Sequence, residues 1–122
     1  MEYPLQVSGI DHVVLHVKDL ARAKKFYVGF LGMKIDHERS WQCFLKCGDQ
    51  GLALFEVEDG ADVHGGSEVN HMALRLAAGD YERVKAALQN AGIEVSGRAG
   101  DPRCIYFSDP DGHRLQLLMP DD

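Results

Sequence analysis

The 122-residue chain reads as an α+β domain: two βαβββ repeats forming a curved mixed sheet around a cavity, with helices outside. Three observations predict it. An apolar strand with a histidine near its start occurs twice, as GIDHVVLHV at 9–17 and EVNHMALRL at 68–76. Each copy runs into an aspartate and a helix-period segment that ends at glycine, and three short strand patterns follow. Further along, FLGMKI sits over NAGIEV, and LAL at 52–54 over LQL at 115–117. Neither half is large enough to bury a sheet alone, so the two must pack together.

The elements follow in order. Residues 10–17 are rich in β-branched side chains and predict a strand. Asp19 caps a helix over residues 20–31. Leu20, Ala23, Phe26, Tyr27, Phe30 and Leu31 fall on one side of it, and Gly32 suits its end. MKIDHER, WQCFLKCG and GLALFEVE supply three strands. EDGADVHGGS, residues 58–67, is polar and glycine-rich and reads as a linker between repeats 8–57 and 68–120 of a single domain. In the second repeat Asp80 caps residues 81–91, where Tyr81, Val84, Leu88 and Ala91 line one face, and Gly92 ends the helix. IEVSGR, RCIYFS and HRLQLLMP are its strands. DPDG at 109–112 has the chemistry of a type I turn and should join the last two.

Bulk properties narrow the function. Net charge is −6, with no basic block, which argues against nucleic acid and anionic membranes as partners. No apolar run approaches the ~20 residues of a membrane span. The start, MEYPLQVSG, lacks the basic and apolar regions of a signal peptide. Three cysteines, at 43, 47 and 104, suit reduced thiols in the cytoplasm. Cys43 and Cys47, four apart on one strand face, are too distant for a disulfide along that strand.

Side-chain alternation locates the chemistry. His12, Val14 and His16 share one strand face; Val13, Leu15 and Val17 form an apolar face suited to a helix. Likewise His71, Ala73 and Arg75 share a face, as do Arg114, Gln116 and Leu118. Two imidazoles and an oxygen donor from a third strand make a metal site with a position left open. His12, His71 and Gln116 are the expected ligands of a Zn, Ni, Mn or Fe ion. His12 and His16 cannot share one ion, because four residues of strand separate them by ~13 Å. Glu56 lies an odd number of residues beyond Ala53, so it turns to the other face unless a bulge intervenes. If it faces inward it is the candidate base. Arg75 and Arg114 are placed to hold an anionic group. Trp41, Phe44 and Tyr106 either line the cavity or fill the core. His37, His64 and His113 fall in loops or at strand ends, where a surface position is expected.

IDHVVLHVKDLARAKKFYVGFLGMKI, VNHMALRL and YFSDPDGHRLQLLMP together resemble the vicinal oxygen chelate superfamily, over residues 8–120. That group includes glyoxalase I, extradiol dioxygenases, methylmalonyl-CoA epimerase, fosfomycin-resistance thiol transferases and bleomycin-binding proteins. The resemblance puts His12, His71 and Gln116 on ligand positions, the last of them most often glutamate in the family. Ala53 falls where a fourth ligand stands in glyoxalase I, which favours the three-ligand branches. Tyr106 matches a substrate-contacting tyrosine of the fosfomycin branch and is a candidate catalytic residue with Glu56; that branch also carries a basic tail for which this chain shows no counterpart.

The resemblance implies a small metal-dependent enzyme, a lyase, isomerase, dioxygenase or thiol transferase, acting on a substrate chelated through adjacent oxygens. The alternative is a metal-free, drug-sequestering binding protein using the same cavity. A third option, a small regulatory or sensor domain, has no feature of its own. A cytoplasmic homodimer with a small-molecule substrate is the expected assembly.

Overall fold

A computed structural model describes residues 4–63, 69–97 and 100–120. His64, the last linker residues and Arg98 of the expected strand IEVSGR lie outside the described residues. The chain forms two compact units, Met1–Asp62 and Val63–Asp122.

In the first unit the order is β1 (His12–Val17), α1 (Leu20–Lys24), β2 (Lys34–Arg39), β3 (Gln42–Cys47) and β4 (Gln50–Glu56). The sheet order is β1-β4-β3-β2, with β1 parallel to β4 and the other neighbours antiparallel. The apolar alternation holds in β3, whereas on the expected inner face of β1 only Val17 is buried, Leu15 being half-buried and Val13 exposed. Val17, Cys43, Leu45, Leu52 and Leu54 are buried, together with Leu20, Ala23, Tyr27 and Met33. Each large side chain so buried contributes roughly 1.5–3 kcal/mol.

The first helix departs from the expected single run. Asp19 does cap α1, accepting from Arg22 N at 3.0 Å. After Lys24 the chain widens into a π-helical turn, Lys25–Phe30. There Leu31 N donates to Phe26 O, five residues back, at 2.9 Å. The wider turn rotates later residues off the apolar stripe. Phe26 and Tyr27 stay buried, whereas Phe30, expected on the core side, is exposed.

The second unit repeats the plan with β5 (Met72–Arg75), α2 (Tyr81–Asn90), β6 (Cys104–Ser108) and β7 (Arg114–Leu118). Its sheet order is β5-β7-β6, with β5 parallel to β7. The expected strand IEVSGR contracts to one bridge. Ser96 and Tyr106 exchange backbone hydrogen bonds of 2.9 and 2.8 Å. With that bridge the order becomes β5-β7-β6-Ser96, the counterpart of β1-β4-β3-β2. The duplication is therefore visible in hydrogen bonding as well as in sequence, and the ladders form one sheet per repeat. Leu88, Ile105, Phe107, Leu115 and Leu117 make its core. The DPDG turn closes as expected: Gly112 N donates to Asp109 O at 3.1 Å, and the Asp109 carboxylate accepts from Asp111 N and His113 N at 2.9 and 2.8 Å. That carboxylate draws the chain inward, so His113 is buried rather than at the surface. No helix among the described residues is long and apolar enough to cross a membrane.

Candidate metal centre

His12 opens β1 opposite Gly51 of β4. The two strands approach closely there, with Gly51 N donating to Asp11 O at 2.7 Å. A Cβ at position 51 would stand 2.9 Å from His12 Cβ and 3.1 Å from Asp11 O. Only glycine leaves room for this seat. The His12 Nδ1 lies 2.8 Å from Asp11 Oδ1. A carboxylate only accepts, so in a hydrogen bond between the two the donor is Nδ1–H.

Strand pairing places Val14 beside Ala53 and Ala53 beside Phe44, so these share the His12 face. An aromatic run crosses that face. His37 stacks on Phe44 at 4.3 Å and 12°, Phe44 meets Phe55 at 5.7 Å, and Phe55 meets Trp41 at 5.5 Å. Trp41 is half exposed. Phe55 and His37 escaped the sequence reading. Phe55 was legible, two residues beyond Ala53. His37 was not, because an irregularity between Ile35 and His37 shifts it opposite Phe44. Asp11, His12, Asp36, His37, Phe44 and Gly51 border a cleft of about 380 Å³.

Glu56 turns away from this face. It pairs with Val17, and its Oε2 accepts from Leu20 N, the first helical amide of α1, at 2.8 Å. The odd offset from Ala53 thus has its ordinary consequence. Lys24, Glu38 and Cys43 also belong to this helix side. The Glu38 carboxylate, 2.7 Å from Lys24 Nζ, holds the lysine pKa up, and burial pushes up the Cys43 thiol.

In the second repeat Ala73 and Tyr106 both pair with Gln116, which puts all three on one face with His71, two residues before Ala73. Gln116 is buried. His71 Nδ1 is 2.8 Å from Asn70 Oδ1, and its ring meets Tyr106 edge-on at 5.7 Å. Arg114 lies over the other part of this surface, its guanidinium carbon 4.9 Å from the Tyr106 ring centroid and Nη2 donating to Ser96 Oγ at 3.4 Å. Ser96, Tyr106, Ser108 and Arg114 border a cleft of about 460 Å³. Arg75, the residue after Leu74 on β5, is exposed on the same side as Ala73.

The registers match between repeats. Val14 pairs with Ala53 as Ala73 pairs with Gln116. Ala53, fully buried, thus holds the place of Gln116 and offers no donor. His12 in the first unit, and His71 with Gln116 in the second, are residue types that ligate borderline divalent ions.

Residues 9–117 match the profile of the Glyoxalase/Bleomycin resistance protein/Dioxygenase superfamily. The chain belongs to this superfamily. Two curated relatives are similar over nearly all of it. Glutathione transferase FosA of Serratia marcescens is 29% identical over 113 residues, covering 91% of this chain and 80% of the relative. Metallothiol transferase FosB of Staphylococcus saprophyticus is 30% identical over 115 residues, covering 91% and 76%. Among solved structures, the fosfomycin resistance protein FosX of Listeria monocytogenes, complexed with Mn(II) and sulfate ion, superposes with a TM-score of 0.74 at 20% identity, covering 95% of this chain and 93% of that one. The match spans both repeats.

Proposed function

We propose that the chain is a divalent-metal-dependent thiol transferase acting on a small, oxygen-bearing electrophile. One observation carries the reading: His12 and His71 occupy equivalent places in the two repeats, each with Nδ1 engaged, and Gln116 adds an oxygen donor on the His71 face. The likeness to transferases named for metal and thiol supports this reaction over the lyase, isomerase and dioxygenase alternatives.

His12, His71 and Gln116 would hold an ion of the Zn, Ni, Mn or Fe class, which would supply Lewis-acid polarisation of substrate oxygens. The rest falls to the chain. Arg114, and Arg75 beside it in role, bind an anionic substrate group. Trp41, Phe44 and Phe55 present apolar surface to the substrate's carbon skeleton. Sulfur of the incoming thiolate forms the new C–S bond as the C–O bond breaks, and the departing oxygen takes a proton from water, which replaces the one the thiol lost to solvent. Tyr106, paired with Gln116 and edge-on to His71, is assigned the hydrogen bond to that departing oxygen. Glu56 is committed to α1 and has no part in the step.

A metal-free binding protein is the second reading, favoured by the exposed aromatic run and by the absence of a donor at Ala53. Elemental analysis of protein purified without chelators separates the two. The transferase carries near-stoichiometric metal, loses it in His12→Ala and in His71→Ala, and consumes thiol in the presence of an electrophile. The binder carries none and shows no thermal shift with added Mn, Ni, Zn or Fe. A homodimer in the reducing cytoplasm is a separate part of the proposal, in line with the three free thiols. Light scattering in solution tests the dimer.

A further inference from the structure

The residue before each proposed ligand histidine does the same thing in both repeats. Asp11 Oδ1 meets His12 Nδ1 at 2.8 Å, and Asn70 Oδ1 meets His71 Nδ1 at 2.8 Å. We propose that Asp11 and Asn70 are positioning residues, which hold His12 and His71 in the Nδ1–H tautomer and so leave each Nε2 lone pair for the metal. The inference rests on the metal site proposed above.

The chemistry of the two pairs supports it. Neutral imidazole carries one proton, and its default position in water is Nε2. That tautomer offers only Nδ1, the nitrogen nearer the backbone, as a donor. An oxygen acceptor on Nδ1 reverses the choice and also fixes ring rotation. The backbone carrying the first pair is held: Gly51 N donates to Asp11 O at 2.7 Å, which ties the Asp11–His12 backbone to β4. Of the other described histidines, His37 makes the same local contact with Asp36 at 2.8 Å, so the device belongs to an acidic or amide residue preceding histidine. What sets positions 11–12 and 70–71 apart is their common place in the duplication. His16 and His113, preceded by Leu15 and Gly112, have no such neighbour.

The pairs differ in charge. Gln116 brings no charge to the ion, so Asp11 is the one anion in either pair, and it acts through His12 rather than directly. Its side chain is 97% exposed. Water screens such a charge, so its effect on affinity belongs at the lower end of the roughly 10- to 100-fold range of outer-shell residues. Asp11→Asn keeps an acceptor and removes the charge. Asn70→Asp keeps the acceptor and adds one.

Nitrogen-15 NMR of the metal-free protein at about pH 8, where imidazole is neutral, reads the tautomers directly. His12 and His71 are expected as Nδ1–H, with His37 as internal reference. Asp11→Ala and Asn70→Ala are expected to return the neighbouring ring to Nε2–H. Titration calorimetry with Mn or Zn is expected to show about tenfold weaker binding in Asp11→Ala, a smaller loss in Asp11→Asn, and a gain in Asn70→Asp. Nε2–H rings in the parent protein, or tautomers and affinities unmoved by both alanine variants, overturn the inference. Nδ1–H rings that respond to the variants in a parent protein that binds no metal support the positioning and sink the metal site instead. Both positions are at the surface, so the variants should fold, and their amide spectra confirm it.

Discussion

Replacing Glu56 decides whether it is a base or a brace. Its Oε2 accepts from Leu20 N at 2.8 Å, while Asp19 serves Arg22 N at 3.0 Å. The two carboxylates thus satisfy different orphan amides of a helix only five residues long. A hydrogen bond to a charged acceptor is worth roughly 1.5–3 kcal/mol, and a negative charge at a helix N-terminus adds ~0.3–1 kcal/mol. Glu56 sits at an exposed strand end, and screening lowers the sum. Glu56→Ala should therefore cost about 1–2 kcal/mol, read as a fall in the urea midpoint at unchanged slope. Glu56→Gln keeps an acceptor oxygen and should recover about half of that loss. Thiol-transfer activity and metal affinity of the folded glutamine variant should match the parent. A glutamine variant of normal stability with greatly reduced turnover would mean that Glu56 is a general base and that its contact with α1 is incidental.

Three further outcomes are expected. Gly51→Ala puts a methyl 2.9 Å from His12 Cβ. Such overpacking costs ~1–3 kcal/mol, and moving His12 weakens metal binding. Unchanged stability and affinity would show that β1 is not seated tightly on β4. Gln116→Glu adds a carboxylate to the proposed ligand set and should tighten divalent-metal binding in calorimetry, an effect that vanishes if residue 116 is not a ligand. Under native conditions near neutral pH, a thiol-specific disulfide reagent should modify Cys47 first. Cys43, buried and with its thiol pKa pushed up, holds even less thiolate than an ordinary cysteine, so it and buried Cys104 should react only on unfolding. Rapid native labelling of Cys43 would contradict the packing beneath α1.

Much of the architecture could be read directly from the chain because period-2 patterns and caps are local signals. His12, Val14 and His16 alternate with Val13, Leu15 and Val17 as the pleat requires, and Asp19 and Asp80 cap the helices they precede. What escaped depends on geometry that residue types do not encode. The π-helical turn after Lys24 turns Phe30 outward although its spacing fits an α-helix. The irregularity before His37 moves a histidine onto the aromatic face. The described part of IEVSGR makes a single bridge, Ser96 with Tyr106, which its own propensity does not reveal. The hydrogen bonds of Asp11 and Asn70 are between neighbours in sequence, yet they acquire meaning only once the two strands are known to be equivalent.

The register equivalence of Ala53 and Gln116 links the missing donor to the aromatic run. Ala53 is fully buried, with Phe44 directly across from it and Phe55 two residues on. The small methyl lets the two rings meet edge-to-face at 5.7 Å over it. A carboxylate at position 53 would have to be desolvated among those rings, which is costly without a cation to pair it. An unpaired acidic donor at position 53 is therefore disfavoured beside the aromatic contact. In the second repeat the corresponding face keeps its amide, its tyrosine and its arginine. Duplication has left one sheet face suited to recognising carbon and the other to handling oxygen. The proposed thiol transfer would use both kinds of face, whereas the sequestering alternative would use only the first.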